Sequence, residues 1–84
     1  MTQIDFINDT PILYGSTIGR NGKQYIGSYK PVFNKYTNKI GYAFCSKKGR
    51  INNNMSFTVG YAYKLYQSGR LSTDPERGDE KNYL

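Results

Sequence analysis

The chain has 84 residues, enough for one domain, and carries 12 Lys and Arg residues against six Asp and Glu residues, for a formal net charge of +6. A domain of this size buries only about 60–65% of the surface that its unfolded chain exposes, so aromatic residues must supply much of the core. With no His and a single Cys, the usual zinc clusters and the most common general base are excluded. We therefore expect a non-enzymatic protein that uses no metal or cofactor.

The first residues are predicted to form a short strand. Over residues 2–7, Ile4 and Phe6 alternate with polar residues, which is typical of a half-buried strand. Residues 8–11 read Asn-Asp-Thr-Pro, a run of strong turn formers that ends this element. Residues 12–18 predict a second strand.

A hairpin is predicted to follow the second strand. Asn21-Gly22 lies between Arg20 and Lys23, and this dipeptide suits a two-residue turn of type I′. The partner strand spans residues 23–30. Pro31 follows it and favours an edge position or a bend in the chain.

The middle of the chain predicts a turn, a strand and a basic loop. Residues 32–39 are interpreted as a turn and residues 40–45 as a strand. Residues 46–50 (Ser-Lys-Lys-Gly-Arg) form a basic loop with a glycine, and the three Asn residues at 52–54 predict another break.

Residues 56–67 fit either a strand or a helix. With period two, Val59, Tyr61 and Tyr63 share a face. With helical period, Phe57, Tyr61 and Leu65 form a stripe; Asn54 or Ser56 can cap its start, and Gly69 stands where a helix ends. We favour the helix.

These elements predict an α+β, strand-rich domain: a small antiparallel sheet of three to five strands with one C-terminal helix packed on it. Residues 72–76 (Ser-Thr-Asp-Pro-Glu) match a helix start, but Gly78 follows too soon for much helix. We expect a single basic domain at residues 1–73 and a mobile acidic tail at residues 74–84.

The charge is distributed unevenly. From Thr10 to Thr73 the chain has ten Lys and Arg residues and no Asp or Glu, and the same stretch holds 11 of the 13 aromatic residues. A basic surface rich in flat side chains suits a polyanion with stackable groups, which is nucleic acid. An ordinary solvated surface is the alternative interpretation. The predicted phosphate contacts are Arg20, Lys23, Lys39, Lys47, Lys48 and Arg50.

Aromatic residues next to glycines are the candidates for base stacking or for anchoring an interface: Tyr29, Tyr42, Phe44, Tyr61 and Tyr63. Residues 39–45 resemble in part the RNP1 segment of RNA-recognition motifs, with Ile40 inserted after the basic residue and Cys45 in place of an aliphatic one. A hairpin precedes them where that fold has its first helix, so the chain as a whole is not assigned to that family. The favoured alternative is that these aromatic residues form the core.

We expect a small nucleic-acid-binding module, with RNA or single-stranded DNA favoured. The alternative is a protein-binding regulator or inhibitor that docks on an acidic surface of a host protein. Lys, Asn, Tyr and Ile have AT-rich codons and are abundant, which is compatible with a phage source. The lone Cys45 fits a reducing compartment, and no apolar run approaches the roughly 18 residues of a membrane span. A cytoplasmic protein without a membrane partner is therefore expected, and no oligomeric state is predicted.

Overall fold

The computed structural model describes residues 2–83, without the side chains of Asn53 and Asn54. Two α-helices and five strands make up the described chain, with two short 3-10 helices at its end. In chain order they are α1 (Gln3–Asp9), β1 (Leu13–Ile18), β2 (Gln24–Asn34), β3 (Lys39–Cys45), β4 (Ile51–Thr58), α2 (Val59–Gln67), β5 (Leu71–Ser72) and the 3-10 helices Pro75–Gly78 and Glu80–Tyr83. The α+β, strand-rich class is confirmed. The sheet has five strands, and the helices number two where one was predicted.

The strand predicted for residues 2–7 is wrong, because these residues belong to α1. Thr2 caps the helix: its Oγ1 accepts a hydrogen bond from the Asp5 N–H at 3.2 Å and donates one to the Asp5 carboxylate at 2.8 Å. Phe6 is the buried residue of α1, whereas Ile4 is exposed. The Thr-x-x-Asp cap therefore outweighs the alternation of Ile4 and Phe6, which marks no buried strand face.

The sheet is antiparallel with the strand order β4-β3-β2-β1-β5. The first four strands follow one another as neighbours, and β5 returns after α2 to pair with the free side of β1. β2 does not end at Lys30 as predicted but continues through Pro31 to Asn34. β1 pairs with β2 only as far as Tyr29, so at Pro31 the side of β2 that faces β1 has no strand partner. Pro31, which lacks a backbone N–H, is therefore tolerated in this position.

The segment at residues 56–67 combines both interpretations of the sequence, because its start is strand and the rest is helix. The chain stays a strand to Thr58 and becomes helical at Val59, with the Thr58 Oγ1 accepting a hydrogen bond from the Tyr61 N–H at 3.2 Å. The N-cap is thus Thr58, and the predicted caps at Asn54 and Ser56 are wrong. Gly69 closes α2 as predicted, with a φ of +82° that favours glycine.

The break predicted at residues 52–54 is an irregularity within a strand. Ala43 pairs with Ser56, but the next residue of β3, Phe44, pairs with Asn52. β4 therefore contains extra residues that have no partner opposite them on β3, as in a bulge. This arrangement lets Met55 pack against the core.

The core lies between one face of the sheet and the two helices. The Phe6 ring of α1 lies 6.0 Å from the Tyr42 ring of β3, and α2 contributes Ala62 and Leu65. The buried cluster consists of Phe6, Leu13, Tyr29, Tyr42, Phe44, Ala62, Leu65 and Leu71. Neither helix of residues 2–83 has the length and apolar character that spanning a membrane requires.

The C-terminal segment lies against the opposite face of the sheet. A Cβ built on Gly78 would stand 3.2 Å from Cδ1 of Tyr14 and 3.0 Å from the carbonyl oxygen of Gly27. Tyr14 points away from the core because its neighbour Leu13 points into it. Asp74 caps the first 3-10 helix by accepting a hydrogen bond from the Glu76 N–H at 3.0 Å. The domain boundary after residue 73 stays a prediction.

Candidate nucleic-acid interface

The turn between β1 and β2 is a three-residue loop rather than the predicted type I′ turn. The Gly19 N–H donates to the Lys23 carbonyl oxygen at 2.9 Å, and the Gly22 N–H donates to the Gly19 carbonyl oxygen at 3.0 Å. Gly22 has a φ of +79°, but Asn21 does not have the positive φ that type I′ requires at both central residues. Arg20 and Lys23 flank Asn21 and Gly22, and both cations are exposed.

The turn between β3 and β4 repeats this geometry. The Ser46 N–H donates to the Arg50 carbonyl oxygen at 2.9 Å, and the Gly49 N–H donates to the Ser46 carbonyl oxygen at 2.9 Å. Gly49 has a φ of +83°, which is close to that of Gly22 in the first turn. We call these two loops the basic turns: residues 19–23 and residues 46–50.

Both basic turns lie at the same end of the sheet, because each joins two antiparallel neighbours in an uninterrupted run of four strands. Ile18 pairs with Gln24 at the tip of the first hairpin, whereas Cys45, at the end of β3, pairs with Ser28. The first basic turn therefore projects four residues further than the second, a distance of about 13 Å along the strands. Perpendicular to the strands, the two turns are about 10 Å apart. Together they display five exposed cations: Arg20, Lys23, Lys47, Lys48 and Arg50.

Lys39 is separated from this group. It begins β3 and pairs with Asn34, next to the turn that joins β2 to β3. That turn is at the opposite end of the sheet from the basic turns. Lys39 therefore cannot share one compact phosphate site with the other five cations, although its side chain is exposed.

The stacking role predicted for Tyr29, Tyr42 and Phe44 is wrong, because all three lie in the core. Tyr29 and Tyr42 have no exposed surface, and the rings of Tyr29 and Phe44 are 5.3 Å apart. They point from the sheet toward the helices, so α1 and α2 cover the face on which a base would have to stack. These three residues instead form part of the aromatic core, which was the favoured alternative in the sequence analysis.

Burial also changes the acid–base properties of two of these phenols. Loss of solvent raises the pKa of Tyr29 and of Tyr42 to about 12. Both hydroxyls are therefore neutral donors at physiological pH. The Tyr42 hydroxyl donates to the Pro11 carbonyl oxygen at 2.5 Å, while the Tyr29 hydroxyl donates to the Tyr25 carbonyl oxygen at 3.0 Å.

Tyr61 and Tyr63 on α2 remain partly accessible. Tyr61 is half exposed and packs edge-on against Phe57, whereas Tyr63 is more buried and its hydroxyl accepts a hydrogen bond from Gln67 at 3.0 Å. They lie beside an open groove of about 520 Å³ between the start of α1 and α2. α2 follows directly on the end of β4 that lies opposite Gly41, so its first turn is remote from the basic turns.

One residue near the basic turns, Tyr25, escaped the sequence analysis, and a second contact there joins residues that are distant in sequence. The hydroxyl of Tyr25 accepts a hydrogen bond from the Asn21 side chain at 3.0 Å, and this half-buried ring supports the first basic turn. Glu80 lies 3.8 Å from the Lys47 ammonium, so the C-terminal segment reaches the second basic turn. Tyr25 could have been found from its place two residues after the turn, whereas nothing local to Glu80 indicates its partner.

Among residues 2–83 there is no group of three His, Cys, Asp or Glu side chains that could hold a metal ion. The arrangement supplies exposed positive charge on two backbone loops. Comparison with protein families, with curated proteins and with solved structures finds no match for this chain.

Proposed function

We propose that this protein is a small nucleic-acid-binding module that contacts phosphates through its two basic turns. The observation that supports the proposal is their placement: two loops of the same geometry present five exposed cations at one end of the sheet. The separation of about 10 Å across the strands and about 13 Å along them lets the loops follow a phosphate backbone over several nucleotides.

Few acidic residues lie near the five cations of the basic turns. Between Thr10 and Thr73 the sequence has no acid, so the strands that carry the basic turns add no negative charge. Glu80 is the acid that reaches Lys47, and both side chains of that ion pair are more than half exposed. Such a pair is weak in water, and a phosphate can replace the carboxylate at modest cost.

Tyr29, Tyr42 and Phe44 lie in the core and are not accessible for base stacking. The proposal therefore depends on phosphate contacts. The preference for RNA or single-stranded DNA rested on the aromatic residues as a group, and these three of them lie in the core. Exposed apolar contact near the basic turns comes instead from Ile18 and Ile51, which can touch a sugar or a base edge. Binding is therefore expected to depend weakly on base sequence.

The test is fluorescence anisotropy with labelled oligonucleotides of about 20 nucleotides: single-stranded RNA, single-stranded DNA and duplex DNA. Five phosphate contacts predict a slope of log K against log salt near −3.5 for a single strand and −4.5 for a duplex. Raising KCl from about 50 to about 200 mM should then weaken single-strand binding about 100-fold. The three ligands together show which nucleic acid the surface accepts.

A matched variant separates local contact from total charge. Lys48→Gln lies in a basic turn and Lys64→Gln lies on α2, and each lowers the net charge by one. We expect Lys48→Gln to reduce the slope by about 0.7 and Lys64→Gln to leave it nearly unchanged. Absence of binding at about 50 mM salt would refute the proposal. That result would favour the alternative of a protein-binding regulator, which is tested by isolating one partner protein and showing that its binding is saturable.

A further inference from the structure

Two arginines lie at the β5 edge of the sheet, outside the basic turns. Arg70 immediately precedes β5 and is exposed, whereas its neighbour Leu71 is buried in the core. Arg77 belongs to the first 3-10 helix, and its Nη2 donates a hydrogen bond to the Gly69 carbonyl oxygen at 2.7 Å. Because Gly69 and Arg70 are consecutive, this bond holds the Arg77 guanidinium beside the backbone of Arg70. We call Arg70 and Arg77 the arginine pair.

No acid of the described chain neutralises the arginine pair. Among residues 2–83, no carboxylate oxygen lies within 4.0 Å of a guanidinium nitrogen of either arginine. Asp74 and Asp79, which flank the first 3-10 helix, each accept a hydrogen bond from a backbone N–H at 3.0 Å. A guanidinium has five N–H donors, of which Arg77 uses one on Gly69. Both side chains therefore keep donors for an oxyanion, and the planar guanidinium matches the geometry of a phosphate.

The arginine pair lies next to the first basic turn. β5 is antiparallel to β1, with Leu71 opposite Gly15. Residues 69 and 70 therefore lie toward the end of β1, where Ile18 leads into the turn at residues 19–23. Gly15 and Ile18 are three residues apart, which is about 10 Å along the strand. The arginine pair thus extends the cationic surface of the first basic turn to the edge of the sheet.

The face of the sheet opposite the helices is accessible beside this edge. Four side chains of β1 and β2 form a surface there, which we call the outer platform: Ser16, Ile18, Gln24 and Ile26. They point away from the core, because Tyr25, which lies between Gln24 and Ile26, packs against it. The Gln24 side chain donates a hydrogen bond to the Ser16 hydroxyl at 2.7 Å, and Ile18 is 72% exposed. The outer platform thus offers hydrogen-bonding groups and an apolar side chain without negative charge.

Lys47 of the second basic turn lies on the same side of the sheet as the outer platform. The C-terminal segment crosses that side, where a Cβ built on Gly78 would stand 3.0 Å from the Gly27 carbonyl oxygen. Glu80 of this segment lies 3.8 Å from the Lys47 ammonium, so the ammonium is on that side as well. Three strand spacings, about 14 Å, separate β5 from β3. Cations therefore flank the outer platform: the arginine pair lies toward β5 and Lys47 lies toward β3.

We propose that the nucleic acid bound by the basic turns crosses the outer platform, and that Arg70 and Arg77 hold its phosphates at the β5 edge. The inference rests on the proposed function, because it extends the path of the same ligand. The helix-facing side of this part of the sheet is closed to that ligand, since the Tyr25 and Tyr29 rings each lie 5.3 Å from the Phe44 ring there. On the outer platform, Ile18 can contact a sugar or a base edge between phosphates that the cations hold.

Salt dependence with a single strand of about 20 nucleotides tests the arginine contacts. The slope of about −3.5 counts the five cations of the basic turns alone. Two more contacts should bring the native chain to about −4.9, and every basic-turn variant should steepen by the same amount of about 1.4. Arg70→Gln and Arg77→Gln should each reduce the magnitude of the slope by about 0.7. Lys64→Gln on α2 removes the same charge on the helix side and should leave the slope nearly unchanged. Arg77→Gln also removes the bond to Gly69, so Arg77→Lys, which keeps the charge, is its control and should keep the slope.

Two-dimensional NMR of the isotope-labelled full chain shows which side of the sheet the ligand covers. Titration with a single strand of about 10 nucleotides should shift the backbone amide signals of Ser16, Gln24 and Arg70 and the Nε–Hε signal of Arg77. The amide signals of Ala62 and Leu65, which are buried on α2 at the other face, should stay in place. This measurement locates the ligand without relying on the salt dependence of binding.

The outcomes separate this inference from the proposed function. Absence of binding by the native chain at about 50 mM salt refutes both. A slope that Lys48→Gln reduces, but that Arg70→Gln and Arg77→Gln leave unchanged, keeps the basic turns as the site and overturns the arginine contacts. NMR shifts confined to α1 and α2 would place the ligand on the helix side and overturn the path across the outer platform.

Discussion

Tyr42 offers a quantitative test of how the core is built. The side chain has no exposed surface, and its hydroxyl donates to the Pro11 carbonyl oxygen, which ties β3 to the segment between α1 and β1. The substitution Tyr42→Phe keeps the ring and removes the hydroxyl. At about pH 7 we expect it to lower the free energy of unfolding by about 1 kcal/mol, the usual net contribution of one hydrogen bond.

At alkaline pH the sign should reverse. Burial raises the pKa of Tyr42 to about 12 in the folded chain, against about 10 when unfolded. A raised pKa of this kind contributes stability in full below pH 10, and this contribution is lost as the pH rises through 12. At about pH 11 the loss is about 1.4 kcal/mol for this residue. Since Tyr42→Phe cannot ionise, it avoids that loss and should match or exceed the native protein from about pH 11 upward.

Urea unfolding followed by circular dichroism between about pH 7 and pH 11.5 measures both effects. Tyr36→Phe is the control, because Tyr36 is 89% exposed and the substitution removes no core contact. Its difference from the native protein should stay near zero throughout. If the deficit of Tyr42→Phe were the same at pH 11.5 as at pH 7, the phenol would titrate like an exposed one, and the burial argument would fail.

Three further perturbations test α2, the sheet and the C-terminal segment. Gly60→Ala should raise the free energy of unfolding by about 0.5–1 kcal/mol, because nothing lies within 4 Å of the added Cβ and alanine favours the helix. Gly15→Ala should lower the free energy of unfolding by about 2 kcal/mol or more in the same urea assay, since its Cβ would collide with the Arg70 carbonyl oxygen. Glu80→Gln should change stability by less than about 0.5 kcal/mol, yet tighten oligonucleotide binding about two- to fivefold by freeing Lys47. Unchanged anisotropy titrations would show that this carboxylate does not compete with phosphates.

The strand-rich part of the fold could be predicted because its signals are local. Asn21-Gly22 and the Lys-Lys-Gly-Arg run at residues 47–50 mark the two hairpins, and each glycine takes the positive φ that its loop needs. The strand at residues 40–45 follows from alternation of small and aromatic residues. The turn type at Asn21 differs because the chain uses a three-residue loop, which the dipeptide alone does not distinguish from a two-residue one.

The remaining errors come from contacts that are distant in sequence. The start of the chain alternates like a strand, and besides the Thr2 cap it is the packing of Phe6 on Tyr42 and on the α2 residues Tyr63 and Tyr66 that stabilises the helix. Whether Tyr29 and Tyr42 are buried or exposed depends on which face of the sheet the helices cover, and no local sequence pattern indicates that face. The approach of Glu80 to Lys47 likewise joins residues more than thirty positions apart.

The most direct test of the phosphate-binding account is the salt dependence of binding by a chain with neutralised basic turns. Arg20→Gln, Lys23→Gln, Lys48→Gln and Arg50→Gln together remove four of the five exposed cations at that end, and none of the four side chains is part of the core. The account predicts that the slope of log K against log salt for single-stranded nucleic acid falls from about −3.5 to about −0.7. A slope and an affinity equal to those of the native chain would contradict it.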